Sequence, residues 1–372
     1  MYFLGGQLHT EKKVIEAFAP LAQVIAKDAL TLTINGVFTA PTYNNPIGAE
    51  ALDKTNIETY LQAQKAHAEP WIIDLIRNAY ALEYGLPCAE QSALNLILLI
   101  TTDTSKGFKI YGTSDEAMRL KGGGGTLVSA IMKKIANKVT IYQGHPLVEI
   151  SDTENSFNLS FNKQGGAVKI KADRVIMALP FSVLRDVKGI LELNLLQQKK
   201  WAIQEQGYGA NSKLMLGFNS KFWREQQTTK TPASTGSLFT DFAAEEFWDT
   251  TRLQRGPEGI LTHYQGADRD NVPTKDRIAN AIKHISGVWP QAQSKFNGKH
   301  IFKQWHFDAF TKGSYSCPKP GDYTRFYGAQ GLAELNNRLL FAGEHCSGNY
   351  SDYMNGAIET GLSIVQQLTS AK

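Results

Sequence analysis

At 372 residues, 42% hydrophobic and 20% charged, the chain has material for two domains with sizeable cores, which excludes a disordered or fibrous protein. The formal net charge of +4, with 39 basic residues scattered rather than gathered into a stripe, excludes nucleic acid as an expected partner. Cys88, Cys317 and Cys346 are far apart and lack CxxC spacing, so neither a disulfide framework nor a metal site is expected.

The opening MYFLGGQLHTEKK has no basic segment followed by an apolar one, as a secretory leader would. From Glu11 to Leu32, apolar residues recur at Val14, Ile15, Phe18, Leu21, Ala22, Ile25 and Leu30, a period that predicts a helix. Helices are expected again over Asn56–Lys65 and Pro70–Tyr84, with Pro70 in a first turn and Gly85 just past a last one. The apolar run Ala93–Ile100 is far below the ~20 residues that span a bilayer. A cytoplasmic chain with no membrane span is therefore expected.

After RLKGGGGTLVSAIMKKIANKV the character changes to short β-rich runs, VTIYQ, LVEIS, FNLSF and AVKIKADRVIMALP, separated by turns. Ser212 to about Trp305 carries the strand-like KLMLGF, GSLFTDF and GILTHYQG and a helix around Lys275–Val288, with an antiparallel sheet expected. In the closing stretch RLLFAGEHCSGNYSDYMNGAIETGL, Leu339–Ala342 reads as a buried strand and Met354, Ala357, Ile358 and Leu362 as a helix face. Gly343 stands where backbone can approach something else. A helix N-terminus offers unpaired N–H groups and about half a positive charge, which suits an electron-rich ligand edge. On these residues alone, a tight strand-to-helix connection without a ligand stands beside a ligand site.

FAGEH followed by YSDYMNGAIETG resembles the C-terminal flavin segment of the flavin-containing amine oxidase family, the group of monoamine, polyamine and L-amino-acid oxidases. The resemblance implies that Gly343, Glu344, Tyr353 and Met354 border a flavin, with the helix N-terminus facing the pyrimidine edge. KGGGGTLVSAI resembles the family's glycine-rich entry into the flavin domain. VTIYQGHPLVEI with ADRVIMALPFSVL resembles its paired strands, which gives Val148 an adenine contact. NSKLMLGFNSKFW resembles the strand whose lysine, here Lys213, reaches flavin N5 through a water. QWHFDAFTKGSYSCPKPGDYT resembles the segment that sets a tryptophan, here Trp305, against the flavin and an aromatic, here Tyr315, beside the substrate amine. Tyr353 would stand on the other side, the two rings forming an apolar slot. Without the resemblance, Val148 reads as core, Lys213 as a solvated lysine on a strand edge, and the tyrosines as buried rings with satisfied hydroxyls.

Two departures from the family follow. Covalent members carry a cysteine immediately before the aromatic residue, and this chain has Ser314, so non-covalent FAD is implied. The second is that no GxGxxG turn opens the chain. Instead MYFLGGQLHTEKKVIEAF matches the family where a glycine pair, here Gly5 and Gly6, approaches the flavin. A first βαβ unit of at least ~30 residues is therefore expected to be missing, and FAD binding by this chain alone to be weak or absent. A second chain supplying that unit is one expectation, and a catalytically silent, flavin-free remnant is another.

The implied fold class is α/β with α+β elements: an incomplete FAD-binding Rossmann-like domain, with an inserted substrate domain of antiparallel sheet plus helices. Residues 1–10, 119–211 and 306–372 are assigned to the first, and 11–118 and 212–305 to the second. The implied activity is FAD-dependent oxidative deamination of a small amine, with O2 reoxidising the flavin to give peroxide. A desaturase-like flavoprotein would form no peroxide. Amino-acid oxidases grip the carboxylate with an arginine shortly after the glycine pair, where this chain offers His9, so an amine is favoured.

Overall fold

The computed structural model describes residues 1–114, 118–226, 228, 231–242, 244–252 and 254–370. The first apolar period becomes the helix Glu11–Leu30, started by Thr10, whose side chain accepts the Lys13 N–H at 3.2 Å. Its buried stripe of Val14, Phe18, Leu21 and Ile25 shares one core with the helices Ile57–Ala63, Pro70–Tyr84 and Ala93–Leu99. Asn56 caps Ile57–Ala63, accepting the Thr59 N–H at 2.7 Å. Pro70 occupies the first turn of Pro70–Tyr84, and Gly85 ends it at φ 67°, a left-handed conformation open to glycine. The Gly85 carbonyl accepts from Ala210 N at 2.7 Å and Ala267 N at 3.2 Å. That helix end is thereby tied to the segments flanking two strands of the main sheet.

The main sheet has seven strands, in the order Phe296–Gln304, Ser212–Phe218, Gly259–Gln265, Glu245–Asp249, Leu238–Thr240, Tyr2–Leu4 and Gln7–His9. From the first of these to Leu238–Thr240 the pairing is antiparallel, as expected. The helix expected around Lys275–Val288 is Thr274–Val288, packed through Ala281, Ile282 and Ile285 on this sheet. Residues 1–10, grouped by sequence with the cofactor domain, are instead a hairpin on the edge of this sheet. Tyr2 pairs in parallel with Phe239, and Met1, Phe3 and Leu8, partly buried, pack on the core around Leu238 and Phe247.

The runs LVEIS, FNLSF and AVKIK form the strands Leu147–Asp152, Phe157–Lys163 and Gly166–Ala172 of an antiparallel three-stranded sheet. Val175–Met177 pairs in parallel with Leu339–Phe341. The strand expected at VTIYQ is irregular backbone, with Val139, Ile141 and Tyr142 exposed. Among the described residues no strand lies beside it, and an extended segment without a ladder gains nothing from its pattern. Two helices bordering this region also show apolar side chains to solvent. Leu127, Val128 and Ile131 project from Gly125–Ile135, and Met354, Ile358, Leu362 and Val365 from the closing helix Met354–Ser370. Among the described residues, no helix is long and apolar enough to cross a membrane.

Candidate active site

Strand Ser212–Phe218 alternates buried Ser212, Leu214, Leu216 and Phe218 with half-buried Lys213, Met215 and Gly217. One face thus enters the core and Lys213 stands on the other. The ladder places Lys213 opposite Tyr264. Its Nζ lies 5.2 Å from the Tyr264 ring centre, 5.6 Å from that of Trp248 and 5.9 Å from that of Trp305, so the ammonium faces three electron-rich rings. Trp305 is fixed at the end of Phe296–Gln304: its N–H donates to the Asn211 carbonyl at 3.4 Å, and its carbonyl accepts the Thr311 hydroxyl at 3.0 Å.

Tyr264 carries the arrangement onward. Its hydroxyl meets that of Tyr315 at 2.7 Å, and Tyr315 donates to the Leu82 carbonyl at 3.3 Å. Tyr353 donates to Glu83 Oε1 at 3.1 Å. Leu82 and Glu83 are consecutive on the last turn of Pro70–Tyr84, so one helix end anchors both tyrosines expected to flank the substrate. Among the described residues no ring contact joins Tyr315 to Tyr353. Burial, followed by the neighbouring Tyr264 and Glu83, holds the Tyr315 phenol well above its ordinary pKa. Burial and Glu83 raise that of Tyr353. Both are neutral phenols at physiological pH.

Gly343 has φ 149°, and a Cβ there would lie 2.4 Å from His345 Cε1, so the packed imidazole requires glycine. Thr360 of the closing helix bolts the junction together: its Oγ1 accepts the Gly343 N–H at 3.1 Å. Glu344 faces inward, accepting from Ser316 N at 3.0 Å, Ser316 Oγ at 2.8 Å and Asp352 N at 3.0 Å. Ser316 Oγ also lies 3.1 Å from Asp352 Oδ1. Burial raises the pKa of both carboxyls, and Asp352 is raised further by Glu344. The pair retains a proton where isolated carboxyls would not.

Gly5 and Gly6 form the hairpin turn at φ 59° and 71°, with open space where either Cβ would stand. The Gly5 N–H donates to Asp241 Oδ2 at 2.6 Å. Val148 lies in Leu147–Asp152, its carbonyl accepting from Lys188 N at 3.0 Å. His9 is committed elsewhere: its ring stacks on Trp71 at 4.0 Å and its Nε2 donates to the Leu4 carbonyl at 3.1 Å. Ser314 Oγ donates to Asn211 Oδ1 at 2.5 Å.

Contacts therefore run unbroken from Lys213 through Tyr264, Tyr315 and the Leu82–Glu83 turn to Tyr353, next to the exposed start of the closing helix at Met354. A flavin ring fits the chemistry of this set. The Lys213 ammonium and the helix N-terminus suit its electron-rich edge, the indoles and phenols suit its faces, and the space beside Gly5 and Gly6 admits close approach. Tyr264, Trp248, Glu83 and Ser316 were not anticipated. The alternation in GILTHYQG puts Tyr264 on the same sheet face as Lys213 once the register is known; Glu83 sits on a helix far off in sequence and gives no linear signal.

A model of the family described as flavin containing amine oxidoreductase matches residues 22–369. Similar curated proteins include polyamine oxidase 3 of Oryza sativa subsp. japonica, 24% identical over 68% of this chain and 51% of its own length. Another is the flavin-dependent L-tryptophan oxidase RebO of Lentzea aerocolonigenes, 24% identical over 69% of this chain and 54% of its own length. The chain spans about half the length of the curated relatives it matches. The solved structure of cyclohexylamine oxidase from Brevibacterium oxydans IH-35A superposes with a TM-score of 0.76 at 18% identity, over 99% of this chain and 80% of that one.

Proposed function

Since the chain belongs to the flavin-containing amine oxidoreductase family, we propose that it takes part in oxidative deamination of a small primary or secondary amine, with FAD held non-covalently and O2 as the final acceptor. The bound flavin supplies the hydride acceptor and passes the electrons on to oxygen, giving hydrogen peroxide. This chain's residues supply orientation and proton control. Tyr315 and Tyr353, both neutral and both anchored to the Leu82–Glu83 turn, guide a neutral amine and tolerate its cation on entry. Lys213 holds a water and positive charge beside the reacting ring atom, and the start of the closing helix at Met354 stabilises negative charge on the reduced ring. Trp305 backs the ring. Gly5, Gly6 and the Gly343–Glu344 turn border the cofactor, and Val148 borders its adenine. The imine leaves and hydrolyses to an aldehyde or ketone.

The Ser314 hydroxyl, committed to Asn211, supports a cofactor without a thioether. The stacked and hydrogen-bonded His9 supports an amine over an amino acid, because it has no guanidinium fork to offer a carboxylate. Free Cys88, Cys317 and Cys346 support a reducing, cytoplasmic setting.

The observation that carries this reading is Lys213 facing three aromatic rings and joined through Tyr264 to Tyr315. The test is titration of FAD into the purified chain, followed by peroxide assays on a panel of amines and amino acids. A perturbed flavin spectrum and amine-dependent peroxide are expected. Lys213→Met should keep the spectrum and lower peroxide formation by about a hundredfold. Free-flavin spectra at every concentration would sink the proposal for this chain alone.

A second reading is favoured by the exposed apolar faces of Gly125–Ile135 and Met354–Ser370: the chain holds FAD only when these faces are covered, and is silent while they are bare. Flavin retained through gel filtration by the chain alone would exclude this.

A further inference from the structure

Ser316 stands between two carboxyls with one hydrogen to give. Its hydroxyl oxygen, on a residue 1% exposed, lies 2.8 Å from Glu344 Oε2 and 3.1 Å from Asp352 Oδ1. A serine hydroxyl has a single donor and two acceptor sites. It can therefore bond both carboxyls only if one of them is protonated and donates to it. The other partners decide which. Glu344 also accepts the Ser316 N–H and the Asp352 N–H, each at 3.0 Å, and a carboxyl that accepts several such donors is held as the anion. Among the described residues, the Asp352 carboxyl meets hydroxyls instead: besides Ser316, its Oδ1 has the Ser351 Oγ at 3.3 Å.

The surroundings agree. Tyr84, Tyr323, Cys317 and the Glu83 carboxyl act on Asp352 electrostatically, as do Tyr315 and Tyr353 of the candidate site. Tyr208 and Cys346 act on Glu344, and Tyr327 on both. These groups are neutral or acidic, so none offsets a second negative charge. Burial raises the pKa of both carboxyls; the bonds from Ser316 and Asp352 then lower that of Glu344, while the charge of Glu344 raises that of Asp352 further. The pair shares its titration, and geometry gives its proton to Asp352.

Backbone conformation is a separate observation. Asp352 sits at φ 74°, a left-handed conformation that side-chain-bearing residues rarely adopt and that concentrates at functional turns. We propose that Asp352 is a neutral carboxylic acid at physiological pH and the positioning residue for Glu344: its proton goes to Ser316 Oγ, which frees the Ser316 hydrogen to hold Glu344 as a carboxylate. Asp352 lies just before the closing helix Met354–Ser370, where an ionised carboxylate would cancel the positive helix end. A neutral one leaves that end to an electron-rich ligand edge, a consequence that rests on the function proposed above.

The test is infrared difference spectroscopy of the full chain at neutral pH, wild type minus Asp352→Asn. Asparagine keeps the shape and tolerates left-handed backbone; Asp352→Gly, suited to the same φ, is the second variant. A carboxylic C=O band that moves on exchange into heavy water is expected in the wild type and is lost in both variants. Ser316→Ala should shift the band, because the acid loses its acceptor. Thermal melts give a pH profile. A carboxyl whose folded pKa lies above the unfolded value of about 3.9 costs stability as pH rises from that value towards the folded one. The wild type should therefore lose melting temperature relative to both variants between about pH 4 and about pH 8. Neither readout needs a cofactor, so a chain that never binds FAD sinks the function proposed above and still shows both. Absence of the band, a band indifferent to Ser316→Ala, or parallel melts would overturn the role of Asp352.

Discussion

Tyr264 holds two relations at once: its ring faces Lys213 Nζ at 5.2 Å and its hydroxyl meets that of Tyr315 at 2.7 Å. Tyr264→Phe keeps the first and removes the second. Tyr315 would then rely on the longer bond to Leu82, at 3.3 Å. A loss of about 1 kcal/mol in stability is expected, measurable as a lower urea midpoint with unchanged slope. If Tyr315 orients the amine, KM should rise more than kcat falls. Glu245 is a second residue with a sharp consequence. Fully buried, it accepts His263 Nε2 at 2.7 Å and His284 Nδ1 at 2.9 Å. Burial pushes its carboxyl up, but these hydrogen bonds outweigh burial and hold its pKa at about 2. Because the folded value lies below the unfolded one of about 4.3, the stabilisation is complete above the unfolded value and is lost as pH falls through the folded one. Thermal melts of the wild-type chain should therefore drop between about pH 4 and pH 2 more steeply than those of Glu245→Gln, and parallel curves would refute this. Lys213, Tyr315 and Tyr353 could be named as candidates because each lies in a stretch that resembles the family. Trp248, Tyr264 and Glu83 could not, because strand register and a helix end bring them beside those candidates.

At the scale of elements, the helix Pro70–Tyr84 anchors Tyr315 and Tyr353 of the candidate site, and its ending decides how. A Cβ on Gly85 would stand 2.0 Å from Asn211 Oδ1 and 2.8 Å from Gly209 Cα, in backbone already at φ 67°. Gly85→Ala therefore combines left-handed strain with overpacking, each worth about 1–3 kcal/mol. The displaced neighbour matters too, since Asn211 binds the Leu82 carbonyl at 2.8 Å and Ser314 at 2.5 Å. The variant should lose stability by several kcal/mol in denaturant titration, whereas Gly298→Ala, also at positive φ but with open space around it, should lose far less. Such an ending was readable in sequence, because a proline at the start, a glycine at the end and a 3.6-residue period all agree. VTIYQ shows the limit of the same reasoning. Its apolar pattern is strand-like, but a strand exists by virtue of a neighbour, and no pattern within five residues reports whether one is present. The hairpin at residues 1–10 shows a related limit: its glycine turn was legible, but the sheet it joins is set by pairing with Leu238–Thr240, over two hundred residues on.

For the molecule as a whole, packing is uneven, and this predicts where it opens. Pro70–Tyr84 buries Ile72, Ile73, Leu75, Ile76, Ala79 and Tyr80 in the core shared with Glu11–Leu30. Gly125–Ile135 buries none of its residues, and its Leu127, Val128 and Ile131 face solvent. At 11 residues it is shorter than the ~12–15 at which isolated helices become even marginal in water, so little but its own hydrogen bonds sustains it. Hydrogen exchange should be fast across Gly125–Ile135, through local opening of low free energy, and slow across Pro70–Tyr84, which exchanges only when the core opens. Equal protection of the two segments would show that the exposed helix is covered in solution, by self-association or by another molecule. Repeating the exchange with FAD then sharpens the outcome. A cofactor seated against the glycine-rich turn at Gly122–Gly125 should raise protection in Gly125–Ile135, whose local opening loses it, and also in Pro70–Tyr84, whose core opening loses it too, because a ligand of the folded state opposes every opening that releases it.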